Sequence, residues 1–370
     1  MDVSNKKLSK KAVIEVSLHW IFVIVVGAII LTFFITIVVK QKNASEQNLI
    51  IDLRNTFASY ILGAQTASQG AVELSTFENP FSYSCSLIRD QKCSCQLLIG
   101  DKFTQALDLE DSVLFSPKSS GKETDRLLVW SLPWRMPFPA TNFVYFSHPK
   151  VRYLFVYDPN SFIRNDVETI FTHTLTDKIN KDLVKSPGFL DINVSDLGDE
   201  FHKIIIIGQL QNLKLPSIPD FLKNEKTVIL YVPSVSQKDI QTGNIIYFQY
   251  DSKTESFRQQ TSSALLGLPS FFGAVFADDV DTYNCAMANA FVNLRNSAQV
   301  QLERMKILDE SKVCSAFYGQ ADQESMKNLI RFTEEPSKWN NINFVDFIRS
   351  VSSLEQLNAR IQNNPCPLLY

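Results

Sequence analysis

The stretch that decides the architecture is Trp20–Val39, WIFVIVVGAIILTFFITIVV, which carries no charge and only two hydroxyl groups, on Thr32 and Thr36. As an α-helix rising about 1.5 Å per residue it reaches roughly 30 Å, the thickness of a bilayer core. A cleaved signal peptide has a shorter apolar region followed by small residues, whereas bulky side chains and then Lys40 follow here. A buried core helix is disfavoured because no polar stripe interrupts the apolar surface. The sequence therefore predicts a retained transmembrane helix over residues 20–39, with the lipid bilayer as its partner.

The lysines around this run indicate its orientation. Four precede it and two follow it: Lys6, Lys7, Lys10, Lys11, then Lys40 and Lys42. Positive charge collects on the cytoplasmic side of membrane proteins, so we expect a cytoplasmic N-terminus over residues 1–19 and an exported body. Two sequons, Asn43-Ala44-Ser45 and Asn193-Val194-Ser195, make Asn43 and Asn193 candidate glycosylation sites on that side.

Composition limits the functions open to the body. The chain has 370 residues and a net charge of −3, so no basic field indicates a nucleic-acid partner. It has 12 glycines, where average usage of about 7% would give roughly 26, and scarce glycine disfavours glycine-rich phosphate loops. The four histidines are scattered and form no recognisable catalytic motif. We therefore predict no catalytic residue and no cofactor.

The cysteines are even in number, as in disulfide-bonded exported proteins: Cys85, Cys93, Cys95, Cys285, Cys314 and Cys366. The segments 82–88 and 93–99 resemble the strands of a hairpin with a polar turn. A tight turn would place Cys85 opposite Cys95, within disulfide range. Free thiols and a metal site are the alternatives, although a zinc site needs a fourth ligand. Cys285 and Cys314 flank a predicted helix of about 25 residues, whose ends would lie some 35 Å apart, so they are not expected to pair.

Hydrophobic periodicity divides the chain into six segments. An amphipathic pattern from Ala44 to Ala67 predicts a stalk helix that continues the transmembrane helix. The predicted order is a cytoplasmic N-terminus (1–19), a transmembrane helix (20–39), a stalk helix (40–75), a β-rich section (76–150), an α/β core (151–280) and a helical C-terminal section (281–370).

The predicted core is α/β with a mostly parallel sheet, because buried-type strands alternate with a helix pattern. The strands are expected at Tyr153–Tyr157, Ile204–Ile207, Thr227–Val232, Ile245–Tyr250 and Phe271–Ala277, with a helix face from Val167 to Ile179. Three helices follow, at Thr282–Leu308, Gln323–Phe332 and Phe344–Ile361.

Asp279 and Asp281 are the candidate metal ligands. They follow an apolar run, and paired carboxylates at a strand end can hold Mg²⁺, Mn²⁺ or Ca²⁺ through oxygen. Asp279-Val280-Asp281 also matches the two-aspartate metal motif of many glycosyltransferases. The alternative interpretation is that these acids cap the helix that begins near Thr282 and favour its positive end.

The N-terminus resembles that of type IV pilins, with Lys10-Lys11-Ala12, an acidic Glu15, an apolar stretch and an amphipathic continuation. It departs from the pilin pattern because Glu15 is third after Ala12 rather than fifth. The run from Ile14 to Phe34, together with Pro137–Tyr153, is similar to uncharacterised single-pass membrane proteins of small archaeal genomes. That similarity implies an envelope location and no known activity.

Three functions are compatible with these features. The first is a non-catalytic envelope protein whose exported body binds another protein or forms a homo-oligomeric surface assembly. The second is a pilin-like filament subunit that loses about its first 12 residues. The third is a membrane-tethered, metal-dependent enzyme that uses Asp279 and Asp281 on a substrate bearing a sugar or phosphate.

Overall fold

The computed structural model describes residues 10–66, 70–76, 79–88, 92–109, 112–118, 126–147, 150–157, 180–185, 201–208, 218–233, 242–311, 314–362, 364 and 366–370. The chain divides into two units, Met1–Leu53 and Arg54–Tyr370. Helix α1 is Lys10–Thr66 and includes residues of both.

In the first unit the apolar run 20–39 is helical and its large side chains are exposed. The hydroxyls of Thr32 and Thr36 donate hydrogen bonds of 2.8 and 2.7 Å to the carbonyls of Ala28 and Thr32, four residues earlier. The helix therefore satisfies its own polar groups, as an apolar solvent requires. Among the described residues it is the one helix long and apolar enough to cross a membrane.

The described residues of the second unit form three sheets. The strands are β1 (Gly70–Ser75), β2 (Phe81–Ile88), β3 (Lys92–Ile99), β4 (Gln105–Asp108), β5 (Leu114–Phe115), β6 (Arg126–Arg135), β7 (Pro139–Ser147), β8 (Val151–Tyr157), β9 (Asn180–Lys185), β10 (Phe201–Ile207), β11 (Thr227–Val232), β12 (Thr242–Asp251) and β13 (Ser256–Leu266). The sheet orders are β1-β6-β7-β5, β2-β3-β4 and β13-β12-β11-β10-β8-β9.

The helices that follow the last sheet are α2 (Gly267–Phe276), α3 (Val280–Asp309), α4 (Gln320–Phe332) and α5 (Phe344–Ile361). Short 3₁₀ turns lie at Asp220–Leu222 and Pro336–Asn341. The aromatic rings of Phe291, Trp339 and Phe347 join the C-terminal helices, with centroids 5.5 Å apart for Phe291 and Trp339 and 5.9 Å for Phe291 and Phe347.

The six-stranded sheet is mixed, which corrects the predicted mostly parallel core. Strands β9, β8, β10 and β11 are parallel neighbours, while β12 and β13 form an antiparallel hairpin at one edge. Ile204–Ile207 is buried throughout because both faces of β10 are covered. Ile204 and Ile206 pack with Leu154 and Leu222 on one of these faces. The fold of the body is therefore mixed α+β.

Two further predictions about elements are wrong. Phe271–Ala277 was expected to be a strand, but Phe271–Phe276 lies in helix α2 and Ala277 is its C-cap. A short, fully apolar run has no periodicity that separates a strand from a helix. The helix predicted over Ala44–Ala67 is present and ends at Thr66, but the stalk segment drawn to residue 75 is too long, because Gly70–Ser75 forms β1. The helix face expected from Val167 to Ile179 lies outside the described residues.

Helix α2 packs closely on the β5–β6–β7 side of the body. The ring centroid of Phe115 lies 5.7 Å from that of Tyr145, and Trp130 lies 4.6 Å from Tyr145. A Cβ atom on Gly273 would come within 2.7 Å of the Phe115 ring. Glycine at position 273 therefore lets α2 approach the aromatic core.

Candidate functional site

The aspartates singled out in the sequence lie at the junction between α2 and α3. Asp279 is the N-cap of α3, and its Oδ1 accepts a hydrogen bond of 2.7 Å from the Thr282 amide. Its other carboxylate oxygen forms an ion pair with Nζ of Lys118, which follows β5. The Asp279 side chain is buried, whereas Asp281 is exposed in the first turn of the helix. The two predicted ligands therefore face different environments.

Asp278 joins a second lysine to the same junction. Its Oδ2 accepts a hydrogen bond of 2.7 Å from the Lys118 amide, and its Oδ1 lies 3.4 Å from Nζ of Lys203. Lys203 is only 3% exposed and comes from β10, and its Nζ also donates to the Ala277 carbonyl. A lysine that follows β5 and a lysine of β10 thus meet two consecutive aspartates.

The pKa values at this junction reflect burial and pairing together. Burial alone would raise the pKa of Asp279, but hydrogen bonds from Lys118 and the Thr282 amide outweigh it and lower that pKa. Burial opposes the charge on Lys118 too, yet pairing with Asp279 raises the lysine pKa. Burial lowers the pKa of Lys203, and the Asp278 charge offsets part of that shift.

We call Lys118, Lys203, Asp278 and Asp279 the lysine–aspartate cluster. Its formal charge is balanced, and each carboxylate already accepts from an amide and contacts an ammonium group. These contacts favour the helix-cap interpretation over metal ligation and tie β5, β10 and the start of α3 together. Neither lysine was predicted from the sequence. The one local signal was Lys203, a charge that directly precedes four isoleucines in a buried-type strand.

The structure brings together the two cysteines proposed as a disulfide. Cys85 and Cys95 are directly opposite in the β2–β3 ladder and are bonded, with Cα atoms 4.1 Å apart. Cys93 is bonded to Cys285 of α3, and Cys314 is bonded to Cys366. No free cysteine remains. Of the two sequons, Asn43 lies in α1 and Asn193 lies outside the described residues.

The body also has a cavity of about 490 Å³ between the β6–β7 turn, the start of α2 and helix α5. Trp134, Met136, Leu268 and Val351 supply apolar lining, and Glu355 also lines the cavity. Partial burial raises the pKa of the Glu355 carboxyl. A cavity of this size is in the range of small-molecule sites, but the residues around it indicate no particular chemistry.

His202 is buried with neither imidazole nitrogen hydrogen-bonded. Burial and the nearby charges of Arg152 and Lys226 lower its pKa. It lies on β10 next to Lys203, in a small recess of about 170 Å³ that also includes Lys118 and Asp278.

Comparison with protein-family models, curated proteins and solved structures found no match to this chain. The class of protein is therefore inferred from the sequence and structure of this chain alone. A long apolar N-terminal helix together with a disulfide-bonded body indicates membrane anchoring or secretion.

Proposed function

We propose that this chain is a single-pass envelope protein, anchored through residues 20–39, whose exported body binds another protein or assembles with copies of itself. The observation that carries the proposal is the pairing of an exposed, uncharged membrane-length helix with a body in which all six cysteines are oxidised. Disulfides persist in oxidising compartments and are rare in the cytosol. Oxidised cysteines support an exported body independently of the lysine bias, which favours a cytoplasmic N-terminus.

A surface feature of the body supports a binding role. A shallow cavity of about 370 Å³ is lined by Tyr60, Gly63 and Ala64 of α1 with Val72 and Val129. Tyr60 and Val72 are each 39% exposed, so apolar area is presented to solvent. Exposed apolar patches on soluble domains mark interaction sites more often than isolated apolar residues do.

Thiol labelling of intact cells tests the location of the body. A membrane-impermeant maleimide should label the protein only after reduction, because the six cysteines are paired. Two single-cysteine additions serve as matched controls. Ser252→Cys, in the exposed β12–β13 turn, should be labelled without reduction, and Ser4→Cys should be labelled only after lysis. Labelling of the native cysteines only after lysis and without reduction would place the body in the cytoplasm and remove the proposal.

A pilin-like filament subunit is the second candidate. The observation that favours it is the helical state of residues 10–66, since the resemblance requires an apolar helical stretch followed by an amphipathic one. Removal of about 12 residues is the expected processing. N-terminal sequencing of the membrane-extracted protein would detect it, and an unprocessed start would exclude this candidate.

A further inference from the structure

Four of the six sulfurs lie together where the β2–β3 hairpin meets helix α3. They belong to the neighbouring disulfides Cys85–Cys95 and Cys93–Cys285. The Sγ atom of Cys95 is 4.0 Å from that of Cys285, although the two residues are not bonded to each other. The sulfurs of Cys85, Cys95 and Cys285 all lie within 4.8 Å of one another. We call the four sulfurs of Cys85, Cys93, Cys95 and Cys285 the sulfur cluster.

Solvent reaches the members of the sulfur cluster unequally. Cys95, Cys93 and Cys285 are 0%, 1% and 5% exposed, whereas Cys85 is partly exposed. Thiol–disulfide exchange needs a thiolate to reach one sulfur directly. A thiol from solution can therefore attack this cluster only at Cys85.

We propose that Cys85 is a thiol-exchange site coupled to the buried disulfide Cys93–Cys285. An external thiolate attacks Sγ of Cys85, the Cys85–Cys95 bond breaks, and a mixed disulfide forms on Cys85. Cys95 leaves as a thiolate 4.0 Å from Sγ of Cys285. It attacks Cys285, a Cys95–Cys285 bond forms, and Cys93 leaves as a thiolate that takes a proton. One external thiol is consumed, one protein thiol appears, and the number of disulfides is unchanged.

A dithiol reagent or a dithiol oxidoreductase carries the process further. Its second thiolate attacks its own sulfur in the mixed disulfide, becomes oxidised to a disulfide, and releases the thiol of Cys85. The protein is then reduced by two electrons, with free Cys85 and Cys93 and an intact Cys95–Cys285 bond. The Cys85–Cys95 bond across the hairpin is lost. The hairpin stays attached to Cys285 of α3, now through Cys95 instead of Cys93.

The third disulfide gives an internal standard. Cys314 and Cys366 are 5% and 6% exposed, and they are bonded to each other rather than to the cluster. Neither the first attack nor the relay involves them. Cross-linked peptides that join Cys314 or Cys366 to the cluster would therefore report unfolding rather than the proposed exchange.

Reduced glutathione is the probe for the folded, full-length protein in detergent. After acid quenching and alkylation, peptide mapping by mass spectrometry should find glutathione on Cys85 and a Cys95–Cys285 linkage, with Cys314–Cys366 intact. Glutathione on Cys85 together with an alkylated Cys95 and an unchanged Cys93–Cys285 bond would overturn the relay. Glutathione first on Cys93 or Cys285 would overturn Cys85 as the site of entry.

Cys85→Ser tests the relay without any added thiol. It leaves the Cys95 thiol next to Cys93–Cys285, so at pH 8 the free thiol should be shared between Cys95 and Cys93 after acid trapping. Cys366→Ser is the matched control, because it frees Cys314 and should leave both bonds of the sulfur cluster unchanged. A Cys85→Ser protein alkylated on Cys95 alone would contradict the proposal even if glutathione reaches Cys85 in the native protein.

Discussion

Asp279 carries two interactions at once, since it caps α3 through the Thr282 amide and pairs with Lys118. We expect Asp279→Ala to lower the free energy of unfolding by about 1–2 kcal/mol, the usual cost of losing an N-cap. Asp281→Ala is the matched control. It lies in the same helical turn but is exposed, so its effect should stay within about 0.5 kcal/mol. Urea denaturation of both variants measures the difference, and equal losses would contradict the capping role.

The lowered pKa of Asp279 makes part of this stabilisation depend on pH. Because the folded state holds the proton less tightly than the unfolded chain, the contribution is complete above the ordinary pKa of 3.8 and is lost as the pH falls through the folded value. The stability difference between the native protein and Asp279→Asn should therefore shrink below about pH 4. Urea midpoints at pH 6 and pH 3 test this, and a constant difference would show that the charge of Asp279 is not the cause.

The metal-dependent enzyme hypothesis can be tested at the same residue. If Asp279 and Asp281 hold Mn²⁺ or Mg²⁺, either ion raises the Tm of the native protein and Asp279→Ala abolishes the rise. The contacts of Asp279 with Lys118 and the Thr282 amide lead us to expect no rise. A metal-dependent shift in thermal melts that Asp279→Ala removes would reverse that expectation and revive the enzyme hypothesis.

At the scale of elements, two helical glycines should respond oppositely to alanine. A Cβ at Gly273 of α2 would meet the Phe115 ring at 2.7 Å, whereas a Cβ at Gly63 of α1 has no atom within 4 Å. We expect Gly273→Ala to destabilise the body by about 1–3 kcal/mol through overpacking. Gly63→Ala should instead stabilise it by about 0.5–1 kcal/mol through helix propensity. Chemical denaturation of both variants checks the signs, and a neutral Gly273→Ala would show that α2 can move away.

Elements with a strong local pattern were predictable from the sequence, and contacts between distant residues were not. Strand β11 and helix α5 have the predicted bounds, because β-branched runs and amphipathic periodicity act within the segment. Helix α2 was mistaken for a strand since its apolar run is short and buried on all sides. The lysine–aspartate cluster joins residues 160 and 75 positions apart, so no local pattern announces it.

For the whole molecule, the two units should behave differently in detergent. The full chain exposes Trp20–Val39 to its surroundings, whereas the second unit, Arg54–Tyr370, has its own buried core. In phase separation with a non-ionic detergent, we expect the full chain in the detergent phase and a protein that begins at Arg54 in the aqueous phase. A truncated protein that still follows the detergent would mean that the body itself holds a membrane-binding surface.

The bond between Cys93 and Cys285 joins residues separated by 192 positions. Cys93 is therefore synthesised well before the cysteine with which it pairs. Cys85 and Cys95 are only 10 positions apart and emerge from the ribosome almost together, so their bond can form early. At ordinary synthesis rates Cys93 waits roughly 10–40 s for its partner. Throughout that interval the Cys93 thiol is unpaired and close in sequence to the Cys85–Cys95 bond. Attack of the free Cys93 thiolate on Cys85 or Cys95 would replace the native Cys85–Cys95 bond, so we expect a disulfide isomerase to restore the final pairs Cys85–Cys95 and Cys93–Cys285.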